Sequence, residues 1–170
     1  MTFTEMAKEI ICSNRFLSLA TRNTVGEVWA TPLSYSTDAE YNFYFITAVD
    51  SVHIDHIREH PYVAFSIFDS TRCVSDIDGL QIKGVAGEVE KERLPDITEQ
   101  YYLQVFPNED ERAEWEKPWE HFTKDDFPVY RFFQVMPLEI YKRDTENDDI
   151  DRRVKIDIGE LKLLNQKVGE

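Results

Sequence analysis

The sequence predicts a mainly β, α+β fold: a small antiparallel barrel with helices at its periphery. Three observations predict it. Apolar segments rich in aromatic and β-branched residues recur with period two along much of the chain. Within LQIKGVAGEVE, Gly84 and Gly87 supply the bends that closing a small barrel requires. The block from Leu94 to Phe127 is helical and acidic, and it interrupts the strands as a unit. With 170 residues, 42% hydrophobic and 13% aromatic, the chain can bury one sizeable core. Residues 1–170 therefore read as a single domain, with a helical insertion at about 94–127 and an acidic C-terminal extension at about 144–170.

Taken in order, Glu5 to Cys12 reads as a short helix, because Met6, Ile10 and Ile11 share a face. Phe16 to Thr21 is a strand. After a turn at Asn23 to Gly26 comes EVWATPLSY, with Trp29, Thr31, Leu33 and Tyr35 on one face and Val28, Ala30, Pro32 and Ser34 on the other. Pro32 places that strand at an edge or a bulge. YNFYFIT follows the turn STDAE, and these three strands are expected to form a meander with short connections. A helix begins at Ser51, with Ser51 as its N-cap, and stops before Pro61. YVAFSIF is nearly continuous in apolar residues and reads as a strand covered on both faces. After LQIKGVAGEVE, two helices, ITEQYYLQVF and EDERAEWEKPWEHF, are expected on either side of Pro107. VYRFFQVMPLEIYKRD returns to strand with a bend at Pro137, and DTENDDID reads as a solvated loop before RRVKIDI and a short terminal helix.

Nineteen basic residues against thirty-three acidic ones give a net charge of −14, which repels nucleic acid and anionic membranes. An anionic small ligand would need a local site of backbone N–H groups and a few cations. Cys12 and Cys73 are far apart without metal or redox spacing, and no apolar run is long enough to span a membrane. The N-terminal residues lack the pattern of a signal peptide. A reduced, cytoplasmic setting is the expectation. His53, His56 and His60 fall at i, i+3 and i+7, and a solvated helix face is expected there, with no metal.

The order LAT, a Gly-containing turn, ATPLSY, FYFIT, Ser51, a helix ending in EHP, an apolar strand and IKGVAGEVE resembles the pyridoxamine 5'-phosphate oxidase-like flavoproteins. The resemblance runs from about Phe16 to Glu90, with an echo in VYRFFQVMPLEIYKRD. It implies a six-stranded antiparallel split β-barrel that is homodimeric, with FMN bound in grooves between the two copies. It also implies an FMN-dependent oxidoreductase on a small substrate whose identity the sequence does not carry. A non-catalytic flavin carrier or sensor, and a split barrel holding haem or another planar ligand, are the alternatives.

By that resemblance the isoalloxazine lies against Thr31, Pro32, Leu33 and Ser34, while the phosphate sits near Ile46, Thr47, Ser51 and His53. Trp115 and Trp119, four apart on the expected second helix, are candidates to cover the groove as neighbours. Where the family carries Lys or Arg after the helix-capping serine, this chain has Val52 and His53. Where pyridoxamine phosphate oxidases proper carry a cationic pair on the preceding strand, it has the neutral Ala30, Thr31 and Ser36. Oxidation of pyridoxamine 5'-phosphate itself is therefore not expected. A protonated His53, with Arg22 and Arg58 in reserve, is the expected source of positive charge for the phosphate. The aromatic residues Phe43, Tyr44, Phe45, Phe65, Phe68, Phe132 and Phe133 look too many for one small barrel to hide, which also favours a dimer.

Overall fold

The computed structural model describes residues 1–147 and 152–166. Helix α1 (Phe3–Ser13) opens with a reciprocal cap: the Glu5 N–H donates to Thr2 Oγ1 at 3.2 Å, and the Thr2 N–H donates to Glu5 Oε2 at 2.7 Å. Its apolar face buries Ala7 and Ile11. The strands are β1 (Phe16–Arg22), β2 (Val28–Ser34), β3 (Ser36–Thr37), β4 (Phe43–Ala48), β5 (Tyr62–Phe68), β6 (Gly79–Glu88), β7 (Tyr130–Arg143) and β8 (Arg153–Ile156). They form one curled antiparallel sheet in the order β2-β1-β5-β6-β7-β4-β3, with β8 paired to the second half of β7. Six long strands make the split barrel that was expected. The two-residue β3 and the four-residue β8 are additions to it.

The expected meander is not what forms. β1 and β2 pair along their whole length, Phe16 with Ser34 through Arg22 with Val28, but β4 pairs with β7, Phe43 with Val135 through Ala48 with Tyr130. Tyr35 directs the chain away after β2. Its backbone N–H donates to Arg15 O at 3.2 Å and its hydroxyl to Ile11 O at 2.7 Å, fixing the crossing to the far end of the sheet. β2 is left as an edge strand, the place that Pro32 permits. β2 and β4 come near each other without pairing, and this seam is the split in the barrel.

The concave side of the sheet holds the main core, including Leu17, Leu19, Phe43, Phe45, Ile67, Ile82, Val135 and Ile140, closed by α1, α2 (Val52–Glu59) and α5 (Ile158–Gln166). A second cluster lies under α3 (Leu94–Val105), where Ile97, Tyr101 and Tyr102 pack on Tyr44 of β4 and Phe132 of β7. Because the two cores use opposite faces of β4 and β7, the aromatic residues are hidden after all; of the seven named above, only Phe68 is exposed. β5 departs from expectation in the other direction. It buries Val63, Phe65 and Ile67 but leaves Tyr62, Ala64 and Phe68 open on the convex face.

The insertion is also different. α4 (Glu109–Trp115) stops three residues before Pro118, and a 3₁₀ turn at Trp119–Thr123 follows, because proline cannot continue the helical bonding and constrains the residue before it. Of the acidic loop DTENDDID, residues 148–151 lie outside the described residues.

The bend expected at Pro137 is a register shift in β7 opposite Lys83 and Gly84. A methyl group added at Gly84 would sit 2.5 Å from both Met136 O and Val135 Cγ1. Gly84→Ala should therefore lower stability by about 1–3 kcal/mol, read as a shift in the denaturation midpoint, whereas Gly87→Ala, which meets nothing within 4 Å, should cost much less.

Candidate ligand-binding site

β4 ends at Ala48 and α2 begins at Val52, so the intervening turn points the first N–H groups of the helix at the end of the seam. Ser51 occupies the N-cap position with extended backbone, φ −85° and ψ 149°, but its side chain does not cap. The Ser51 hydroxyl donates backwards instead, to Ala48 O at 2.7 Å. The expected cap bond is lost because the hydroxyl closes the turn.

His53 projects into the seam. Its Nε2 lies 2.8 Å from Thr47 Oγ1 on β4 and 3.2 Å from Ser51 Oγ, while Nδ1 lies 3.4 Å from Thr31 Oγ1 on β2. One imidazole thus bridges two strands that share no ladder. The Ser51 proton is committed to Ala48 O, so hydrogen bonding between His53 and Ser51 requires Nε2–H to donate. Nδ1 then accepts from Thr31. With Nε2–H shared between the two oxygens, the Thr47 hydroxyl proton is left with only Ser51 Oγ, at 3.5 Å. It is the natural donor to an incoming anion.

The helix face read as solvated is turned inward. His53 and His56 are 5% and 6% exposed, and His56 Nδ1 meets Thr21 Oγ1 of β1 at 3.2 Å. Burial pushes the His53 pKa below its ordinary value, and the neighbouring His56 adds to the effect. The expected positive charge is therefore absent from this buried ring near neutral pH. Nor do the reserve cations reach the junction. Arg22 contacts His60, Nη2 to Nε2 at 2.6 Å, and Arg58 donates to Val49 O and pairs with Asp55. Arg131, which the sequence gave no reason to single out, stands opposite Thr47 in the β4–β7 register, but its guanidinium is held by Asp125 at 2.6 Å.

The remaining candidates divide between the two sides of the strands. Thr31, Thr47, Ser51 and His53 come together at the seam. Leu33 packs on the main core, while Ile46 and Trp119 pack on the cluster under α3. Ser34 Oγ lies 2.6 Å from the Tyr101 hydroxyl, joining β2 to α3. Trp115 is 58% exposed at the end of α4, so the two tryptophans are not neighbours on one helix.

Pro32 opens onto the convex face, together with Ala30. There, cross-strand neighbours form rows of small side chains, Pro32–Ser18–Ser66 and Ala30–Ala20–Ala64. Exposed Phe16 and Phe68 lie towards one end of this trough, and Val28 and Tyr62 towards the other. At the latter end a largely apolar cavity of about 420 Å³ includes Arg22, His60, Lys83 and Leu138 in its wall. Sequence reading missed the trough. Its signal was the alternation of alanine and serine along β1 and β5.

Comparison with known proteins bears on both features. A family model described as pyridoxamine 5'-phosphate oxidase matches residues 3–144. A sequence search of curated proteins finds no match. Among solved structures, the haem-binding protein of Mycobacterium smegmatis superposes with a TM-score of 0.71 at 14% identity, covering 96% of this chain and 61% of that one. The protein Rv2991 of Mycobacterium tuberculosis gives 0.65 at 19% identity, covering 89% and 90%. HutZ, described as the haem storage protein of Vibrio cholerae, gives 0.62 at 15% identity, covering 81% and 91%. At these identities the likeness is one of fold. No helix among the described residues is long and apolar enough to cross a membrane.

The buried His53 ring carries a pH prediction. Its folded pKa is depressed, so the unfolded chain takes up the proton more readily, and this contribution to stability is complete above about pH 6.5 and is lost as pH falls below it. Denaturation midpoints measured from pH 8 down to pH 5 should decline more steeply for the wild type than for His53→Gln. Parallel profiles would show that His53 does not contribute to the decline.

Proposed function

The chain belongs to the pyridoxamine 5'-phosphate oxidase family, and from that premise we propose that it is an FMN-binding flavoprotein acting as a homodimer on a small substrate. The observation that carries this reading is the placement of β2. Its convex side offers Ala30 and Pro32 to a flat ring lying on the trough, and its concave side offers Thr31 to the hydroxyl and imidazole cluster at the start of α2. A ring and a phosphate on one ligand call for that pairing of surfaces. The phosphate would meet the Thr47 hydroxyl and the first-turn N–H groups of α2, at the positive end of its dipole. These donors fit a phosphate by hydrogen bonding and bring no full charge of their own. The flavin, when bound, supplies hydride chemistry, and the protein's share is to orient the ring and exclude water.

A second copy is part of the reading because the trough is otherwise open. Phe16, Val28, Tyr62, Phe68, Met136 and Leu138 are each more than two-fifths exposed, a rim of large apolar groups around small ones. A partner seated there would cover both the rim and the ring. A haem reading draws on the same surface: His60 and Arg22 border the apolar cavity, and two proteins of like fold are described as haem proteins. Flavin is favoured over haem because the Thr31–His53–Thr47–Ser51 cluster suits a phosphate. His60 is already engaged by Arg22 and by Tyr62 O.

The absorption spectrum of protein purified with its native ligand should show the two flavin bands, and a Soret band in their place would turn the assignment to haem. FMN should bind more tightly than riboflavin, and Thr47→Val should weaken FMN by about tenfold, or about 1.4 kcal/mol, while leaving riboflavin unchanged. Equal losses for both flavins would move the phosphate away from Thr47. Sedimentation at micromolar concentration should give twice the chain mass, and a clean monomer would remove the shared groove. Because the strand cations of the oxidase are replaced by Ala30, Thr31 and Ser36, pyridoxamine 5'-phosphate should yield no appreciable hydrogen peroxide.

A further inference from the structure

At the other end of β4, six residues or about 20 Å of extended strand from the His53 cluster, lies a cavity of about 590 Å³. It forms where the end of α1, the β3–β4 turn, α3 and the end of α5 meet. Its walls are pinned by hydrogen bonds. Gln104 of α3 accepts the Thr37 N–H at 2.9 Å and donates to Thr37 O at 2.8 Å. Tyr41, held at φ 58°, turns its buried ring inward and donates its hydroxyl to Asn165 of α5 at 3.1 Å. A left-handed, non-glycine residue used in this way indicates that the wall is over-determined.

Three side chains in this cavity have donors to spare. The Gln100 amide nitrogen is buried with no hydrogen-bond partner among the described residues. The Arg15 guanidinium likewise has neither a hydrogen bond nor an ion pair among them. Lys8 spends one of its three donors, on Leu164 O at 2.9 Å. The carboxylate in the wall, Asp38, is spent. Its Oδ1 accepts the N–H groups of Glu40 and Asn42, and its Oδ2 accepts Asn42 Nδ2 and the Tyr44 hydroxyl. What remains includes these three donors, two of them cationic, in a chain of net charge −14.

We infer that this cavity binds a small organic acid, a carboxylate or a phosphate, separate from the cofactor site. Arg15 grips the acid group with its planar fork, Lys8 adds a second positive charge, and Gln100 donates to a further oxygen. The volume lies within the range of small-molecule sites, and the ligand ties α1, α3 and α5 together where they converge.

The test is thermal unfolding of the full chain, with and without FMN, titrated with succinate and with inorganic phosphate. A saturable rise in Tm of about 5 °C is expected from one of the two, and which one responds separates carboxylate from phosphate recognition. Arg15→Ala, a change at an exposed side chain, should abolish the rise. Gln100→Leu should keep or raise the basal Tm while weakening the response, because it removes a buried donor that has no partner. Arg72→Ala, on an exposed loop outside the cavity, should respond as the wild type does. A rise that survives Arg15→Ala, or no saturable rise with either probe, overturns the inference.

Discussion

The seam between β2 and β4 is the constraint on which the rest of this structure depends. A curled sheet that stops short of closure leaves two strands facing each other without a ladder, so something other than backbone bonds must tie them together. Here side chains do it. His53 ties Thr31 to Thr47 across the seam, Tyr101 of α3 meets Ser34, and β3 covers part of the outer flank of β4. The opening in the barrel is therefore where polar side chains must gather and where the first turn of α2 points. The proposed function would place its demand on the same residues.

Because the seam lets the sheet curl without closing, β4 and the Phe132–Val135 part of β7 are covered on both faces while β1, β2 and β5 are covered on one. The covered half carries the aromatic bulk. The half left open carries the small residues, and it lies beside the seam. On the proposed reading a ligand with a flat ring and a polar tail would span that boundary, whereas a purely apolar one would stay on the trough. Charge follows the same logic: in a chain this acidic, an anion would need a place where backbone N–H groups or a few cations are concentrated.

What could be read in advance was local. The strands declared themselves by alternation, Pro32 marked an edge, and the glycines of β6 marked the bend, since each depends on residues next to it in the chain. The partner of β4 was not legible. Pairing Phe43 with Val135 spans more than ninety residues, and nothing in YNFYFIT distinguishes a neighbour in β2 from one in β7. The inward turn of His53 and His56 was hidden for a related reason. Three histidines at helical spacing define a face, but which face meets the sheet depends on where the sheet ends. The break between Trp115 and Trp119 was legible: Pro118 lies inside the segment taken as one helix.

The partners of His53 also bear on how a buried histidine could stand beside a bound anion. A carboxylate on Nδ1 would hold the ring positive, and a backbone carbonyl there would require Nδ1 to donate in every state. Thr31, Thr47 and Ser51 offer hydroxyls, which accept as readily as they donate. In the neutral ring Nδ1 accepts from Thr31. On protonation Nδ1–H donates to the same oxygen, and the Thr31 hydroxyl need only rotate. The seam bridge thus survives a change of charge, and the cost of that change is chiefly desolvation of the cation. An anion at the start of α2 offsets that cost directly, drawing the depressed pKa of His53 back up. On the proposed reading, the neutral ring that burial favours and the cation expected of a phosphate partner would be two states of one hydrogen-bonded bridge, separated by occupancy of the site.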